Sequence, residues 1–169
     1  MGAFWSMSTS LTEFQGTMLY LDTMVPYALL RNIEPAATVL FERIKGGEIQ
    51  AYTSVLTFDE LAYRALLALV RDRYAGSPLD HLRERKVEIL REFYPEIAPV
   101  LARLRAFPNL TLVDVGVADL ARMDENMAVY QMLPRDALHL AAMDKCGCFD
   151  LVSHDADFDR VPVVRRYVL

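Results

Sequence analysis

Residues 18–30 read MLYLDTMVPYALL, and this stretch decides the fold. Its front half, MLYL, is a short apolar run of the kind shown by a strand buried on both faces. The run ends on Asp22, Thr23 follows, and a helical pattern then opens with Pro26 in its first turn. A strand that passes into a helix through a single acid poses a chemical question. One carboxylate there can cap the helix, because a short side-chain oxygen accepts from free backbone N–H groups. The acid gains another meaning only if further acids arrive beside it.

Working outward, strand-like and helix-like pieces alternate along the chain. Pro35 opens a helix, AATVLFERIKGG, that ends on glycines. IQAYTSV reads as the second strand, and LTFDELAYRALLALVRDRY carries apolar residues at helical spacing. Gly76-Ser77-Pro78 breaks that helix, LDHLRERKVEILREFY forms another, and Pro95 and Pro99 punctuate a third that runs to about Phe107. NLTLVDV is the third strand and VADLARMDENMAVYQM a helix. Leu133-Pro134 then starts RDALHLAAMDKCG, FDLVSHD is the fourth strand, and VPVVRRYV looks like a fifth. Strands spaced by helices imply an α/β fold, with a parallel β-sheet of about five strands flanked by helices on both faces. The region 61–107 is long for one crossover and predicts a helical projection. In such sheets chemistry gathers at the carboxyl ends of the strands.

The 169 residues suit a single domain, placed at 18–169. Residues 1–17 read as a loosely ordered N-terminal extension: they lack the basic start of a signal peptide, their apolar part is short, and they carry Glu13. Charges break every long apolar run, so no membrane span is expected. Cys146 and Cys148 flank Gly147 too closely to pair readily, and read as small residues at a helix end in a reducing cytosol. The net charge of −5 argues against binding nucleic acid by bulk electrostatics. It leaves room for a nucleic-acid enzyme whose own site is a cluster of carboxylates.

Each acid has a bland reading. Asp22 can cap a helix. Glu60, early in the long helix, can favour the helix dipole or pair with Arg64 four residues on. Its neighbour Asp59 points elsewhere round the helix. Asp136 lies two residues after Pro134 on a helix whose Ala137, Leu138, Leu140 and Ala141 indicate burial nearly all round, and a buried acid is costly without a partner. Asp155 ends the fourth strand, with Asp157 and Asp159 close behind, and polar turns favour Asp. Asp155 is the first choice there and Asp157 the second. Jointly, Asp22, Glu60, Asp136 and Asp155 stand at helix starts or strand ends that a parallel sheet brings to one edge. Packed carboxylates repel unless a cation is present. Hard oxygen ligands of this kind suit Mg²⁺ or Mn²⁺, which can activate water and stabilise charge on a phosphoryl group.

The segments LYLDT, TSVLTFDEL, RDALHLAAM and LVSHDADFDRV resemble, in order and approximate interval, the PIN-domain family. The resemblance runs from about Met18 to Leu169, and its size is similar to the stand-alone VapC-type toxins of toxin–antitoxin pairs. It implies a metal-dependent, single-strand-directed endoribonuclease with Mg²⁺ or Mn²⁺ as cofactor. Asp22, Glu60, Asp136 and Asp155 would form its acidic site, supplemented by Asp157, with Thr23 and Ser54 in supporting roles. It also implies an RNA substrate, a small antitoxin partner, a homodimer and a cytoplasmic location. The long 61–107 region and the N-terminal extension depart from the family's shortest members.

His139, one turn beyond Asp136, reads first as a buried, hydrogen-bonded structural histidine. His154 is expected on the opposite face from Asp155, and His81 on a helix surface. Arg64, Arg71, Arg73, Arg83, Arg85 and Lys86 interleave with acids and read as a solvated mixed-charge face. Leu66, Leu67, Leu69 and Val70 make the long helix apolar on more than one side, which hints at a partner surface. An aspartate-nucleophile phosphatase would need a second acid at position 24, which is Met. A receiver-like domain would need paired acids near the first strand. The rival from another class is a PIN-like module that binds RNA or protein without cutting it.

Overall fold

The computed structural model describes residues 9–169. Six strands form one sheet: β1 (Thr9–Ser10), β2 (Met18–Leu21), β3 (Gln50–Ser54), β4 (Leu110–Val113), β5 (Asp150–Val152) and β6 (Arg165–Val168). Their order is β1-β6-β5-β2-β3-β4, and every pairing is parallel. Helices α1 (Met24–Arg31), α2 (Pro35–Lys45), α3 (Leu56–Arg73), α4 (Pro78–Arg105), α5 (Leu120–Tyr130) and α6 (Pro134–Cys146) connect them.

Strand β2 shows why the sheet is buried on both sides. Leu19, Tyr20 and Leu21 are all at most 1% exposed, yet successive side chains must point to opposite faces. Leu19 and Leu21 enter a core with Val25, Leu40, Phe41 and Ile44 from α1 and α2. Tyr20 enters a second core with Ala137, Leu140 and Met143 from α6. A short apolar run without alternation is the signature of such a strand. Pro35, Pro78 and Pro134 each stand at a helix start, where the missing N–H costs nothing. Helix α6 stops at Gly147, whose φ of +66° suits glycine.

Two expectations are corrected. Residues 9–17 are docked rather than loosely ordered: β1 pairs with β6, and Leu11 and Phe14 are buried in the main core, Phe14 edge-on to Tyr167 at 5.2 Å. That docking supplies the sixth strand. The first eight residues of the expected extension lie outside the described residues. The region 61–107 does form a helical projection, but Pro95 and Pro99 sit within α4 and do not break it. Ile89, Phe93 and Ile97 pack on Ala65, Leu66 and Val70 of α3, and this seam holds the helix through both prolines. The kink falls at Arg85 (φ −133°, ψ 33°), whose guanidinium lies over the Tyr74 ring and pairs with Glu88 at 2.8 Å.

The chain leaves β2 toward β3 on one side, and β5 joins β2 from the other. The carboxyl end of β2 is therefore the crevice where an open parallel sheet offers its site.

Candidate active site

The edge is built around Asp22. Its N–H bonds to the carbonyl of Val152 at 3.1 Å, which prolongs the sheet by one residue and fixes the backbone. Its Oδ1 accepts from the Thr23 N–H, and its Oδ2 accepts from the Ser153 hydroxyl, both at 2.6 Å. Ser153, fully buried at the end of β5, in turn accepts the Asp155 N–H at 3.0 Å. One serine thus ties the acid after β2 to the acid after β5. Asp155 Oδ1 then accepts the Asp157 N–H at 2.8 Å and opens a short 3₁₀ turn, Ala156–Arg160. From behind, the nearly buried Arg166 holds Asp159 through two 2.8 Å contacts and the Ser153 carbonyl at 3.2 Å.

Asp136 enters from the first turn of α6. One carboxylate oxygen from each of Asp136, Asp155 and Asp157 lies within 4.8 Å of the others. Asp157 also pairs with Arg160 at 2.9 Å. Among the described residues no lysine or arginine pairs with Asp136 or Asp155. The consequence is electrostatic. Burial first, and then the charges of Asp155 and Asp22, push the Asp136 carboxyl up to about 6 from its ordinary 3.8, with His139 opposing. Thr23, 1% exposed and next to Asp22, has a buried hydroxyl with no hydrogen-bond partner among the described residues. Convergent carboxylates and a spare buried oxygen are a donor set that fits a hard divalent cation.

Glu60 lies apart from that trio. Its Oε1 is 3.1 Å from Nε2 of His139, and its Oε2 is 3.9 Å from Arg135. The other ring nitrogen of His139, Nδ1, is 3.0 Å from the Tyr20 hydroxyl. Burial above all holds the Tyr20 hydroxyl well above its usual range, so it stays protonated beside Nδ1. The ionised Glu60 carboxylate can only accept, so Nε2–H of His139 is the donor to it. Burial works against the Glu60 carboxylate, but the His139 bond, with the charges of His139, Arg135 and Arg64, outweighs it and lowers the carboxyl below its ordinary range. Asp59 turns outward, as expected, and pairs with Arg135 at 2.9 Å.

A family model described as "PIN domain" matches residues 19–164. The chain belongs to the PIN-domain family. No curated protein matches the sequence. Solved structures share this PIN fold at low identity. A toxin–antitoxin complex from Klebsiella pneumoniae is 15% identical with a TM-score of 0.52, covering 86% of this chain and 94% of its own. VapBC2 from Rickettsia felis, bound to a promoter DNA fragment, is 13% identical with a TM-score of 0.53, covering 90% and 98%. VapC20 from Mycobacterium tuberculosis, described as a sarcin-ricin loop cleaving toxin, is 17% identical with a TM-score of 0.54, covering 83% and 92%.

Within this PIN domain the structure sorts the residues singled out from sequence. Asp136, Asp155 and Asp157 meet directly, and Asp22 joins them through Ser153. Glu60 is outside that group and is held by His139. Ser54 is fully buried and its hydroxyl accepts the Leu56 N–H at 3.0 Å, so it starts α3. Arg64 lies over the Tyr27 ring and forms no direct pair with Glu60. His154 is exposed and 3.7 Å from Glu34. Arg73, Arg83 and Arg85 all pair with acids of their own projection, which is the mixed-charge face expected. Sequence reasoning missed Ser153 and Arg166. The serine is flanked by the strand and Asp155 and carries no spacing signal, and Arg166 is visible only through the parallel pairing of β5 with β6.

Proposed function

We propose that this PIN domain is a metal-dependent, single-strand-directed endoribonuclease acting as the toxin of a toxin–antitoxin pair. The observation that carries the reading is the convergence of Asp136, Asp155 and Asp157 on one point, with Asp136 pushed up to about 6 by burial first and then by the neighbouring carboxylates. Asp136, Asp155 and Asp157 would hold Mg²⁺ or Mn²⁺, with Asp22 and Glu60 at the rim and Thr23 in support. When bound, such an ion supplies Lewis-acid stabilisation of a phosphoryl group and lowers the pKa of water. The chain's own part is to orient. Ser153 fixes the Asp22 carboxylate, the Asp155 turn aims two acids at Asp136, and Glu60 stays ionised at the margin.

The partner reading rests on α1, α3 and α4. Tyr63, Leu79, Leu90 and Tyr94 are each more than 40% exposed on α3 and α4, and a groove of about 580 Å³ between α1 and the end of α4 is lined by Pro26, Leu29, Leu30, Val100, Leu104 and Phe107. Apolar surface of this extent suits an antitoxin segment or a second copy of the chain. Among the described residues no helix is long and apolar enough to cross a membrane, and the reading places the enzyme in the cytoplasm.

The test is cleavage of a fluorescent single-stranded RNA with Mg²⁺ or Mn²⁺, and with EDTA. Cleavage should require the ion and vanish in Asp136→Asn. RNA binding with no cleavage in any divalent ion would leave a non-cutting binding module instead.

A further inference from the structure

Glu60 is the one acid of the site that comes from neither β2, α6 nor the turn after β5. It arrives on α3, at the root of the helical projection, and needs its own tether to the sheet. The structure provides one. Tyr20 in β2 and Asp22, which prolongs it by one residue, lie two apart, and His139 and Asp136 lie three apart on α6, so each pair shares a face. The outer member of each pair is an acid of the edge. The inner members, Tyr20 and His139, contact each other at 3.0 Å, and His139 reaches Glu60 at 3.1 Å. Tyr20 is 0% and His139 3% exposed, so water does not compete for the bond between them. Glu60 is thereby registered against the same strand and helix that carry Asp22 and Asp136.

We propose that Tyr20 and His139 are positioning residues that hold Glu60 in register with the aspartates, leaving its Oε2 free of the histidine and 3.9 Å from Arg135. The inference rests on the nuclease reading and deepens it. His139 meets the Tyr20 hydroxyl through Nδ1 and donates Nε2–H to Glu60, so removing the tyrosine hydroxyl loosens the ring, and removing the ring releases the carboxylate. A histidine that merely fills the core would lose stability on substitution and leave ion binding unchanged. Partners that orient a metal-binding group are typically worth about 10- to 100-fold in ion affinity or activity.

The experiment measures Mn²⁺ affinity by calorimetry, with kcat and KM on single-stranded RNA, for Glu60→Gln, His139→Leu, His139→Gln and Tyr20→Phe in the full chain. Glu60→Gln should weaken Mn²⁺ binding about 10-fold or more. His139→Leu should approach that loss, with kcat falling and KM for RNA unchanged. His139→Gln, which keeps an N–H donor near the Nε2 position, should recover most of the affinity, and Tyr20→Phe should cost a few-fold. If His139→Leu does not fold, the Tyr20→Phe and His139→Gln pair carries the same comparison. Unchanged or tighter Mn²⁺ binding in folded His139→Leu or Tyr20→Phe, with unchanged kcat, overturns the positioning role. Wild-type affinity in Glu60→Gln overturns it as well, while leaving the aspartate trio intact. Failure of the nuclease reading has a separate mark: wild type that neither binds Mn²⁺ nor cuts.

Discussion

The two flanks of the acidic edge follow opposite electrostatic plans. On the α3 flank both acids are answered: Glu60 has His139 and Arg135, and Asp59 has Arg135. On the α6 flank Asp136 and Asp155 face each other and Asp157, and only Asp157 has an arginine. The first arrangement is at rest as it stands. The second is under tension, because burial and then the neighbouring acids raise the Asp136 carboxyl. Both flanks look equally acidic along the chain, yet only one asks for a cation.

The largest expected effect breaks the symmetry within the trio. Asp155→Asn should lower RNA cleavage on the order of 10²-fold, the scale of losing one preorganised stabilising group. Asp157→Asn should lose about tenfold or less, since its carboxylate already answers Arg160. Equal losses under single-turnover conditions would erase the distinction.

Next comes the tension itself. Asp136 is raised from 3.8 to about 6 in the folded chain. A group raised on folding contributes stability fully present below the unfolded value and lost as pH rises through the folded one. That contribution should therefore vanish between about pH 4 and pH 6. Full linkage would be worth about 3 kcal/mol, and solvent screening at this half-buried edge reduces it to about 1 kcal/mol. In EDTA, Asp136→Asn should melt roughly 2–4 °C above wild type at pH 7.5, with the advantage gone near pH 4. Added Mn²⁺ should reverse the order at pH 7.5 by stabilising only the wild type. A variant less stable than wild type at pH 7.5 in EDTA would show that the trio carries no strain.

Ser153→Ala removes the hydroxyl that joins Asp22 to Asp155. About 1–2 kcal/mol of stability should be lost in denaturant titration, and no loss would detach the serine from the site. Smallest of all, Arg83→Ala breaks a 3.4 Å pair whose partners are 78% and 61% exposed. Its effect should stay within about 0.5 kcal/mol, and a larger value would mean that the projection's surface charges are coupled.

What could be read from sequence follows the reach of the physics. The strand at 19–21, the helix starts at Pro35, Pro78 and Pro134, and the acids at the strand ends all rest on local rules, and the sheet brought those acids to one edge. The Tyr20–His139 contact joins positions 119 residues apart, so no window could show it. Glu60's attachment to His139 was equally hidden, and Arg64, its obvious helical partner, went to Tyr27. A two-residue strand such as Thr9–Ser10 is too short for any alternation to register. The prolines of α4 misled because tertiary packing against α3 overrode a local breaker.

That short first strand has a consequence beyond adding to the core. It lies alongside Tyr167 and Val168, on the side of β6 away from β5. Bare main-chain donors and acceptors on a sheet margin invite pairing with other molecules. Thr9–Ser10, with Phe14 wedged on Tyr167, works as a selvage: it covers the Tyr167–Val168 end of β6 and offers only a two-residue strand in its place, too short a hem for a neighbour to stitch onto well.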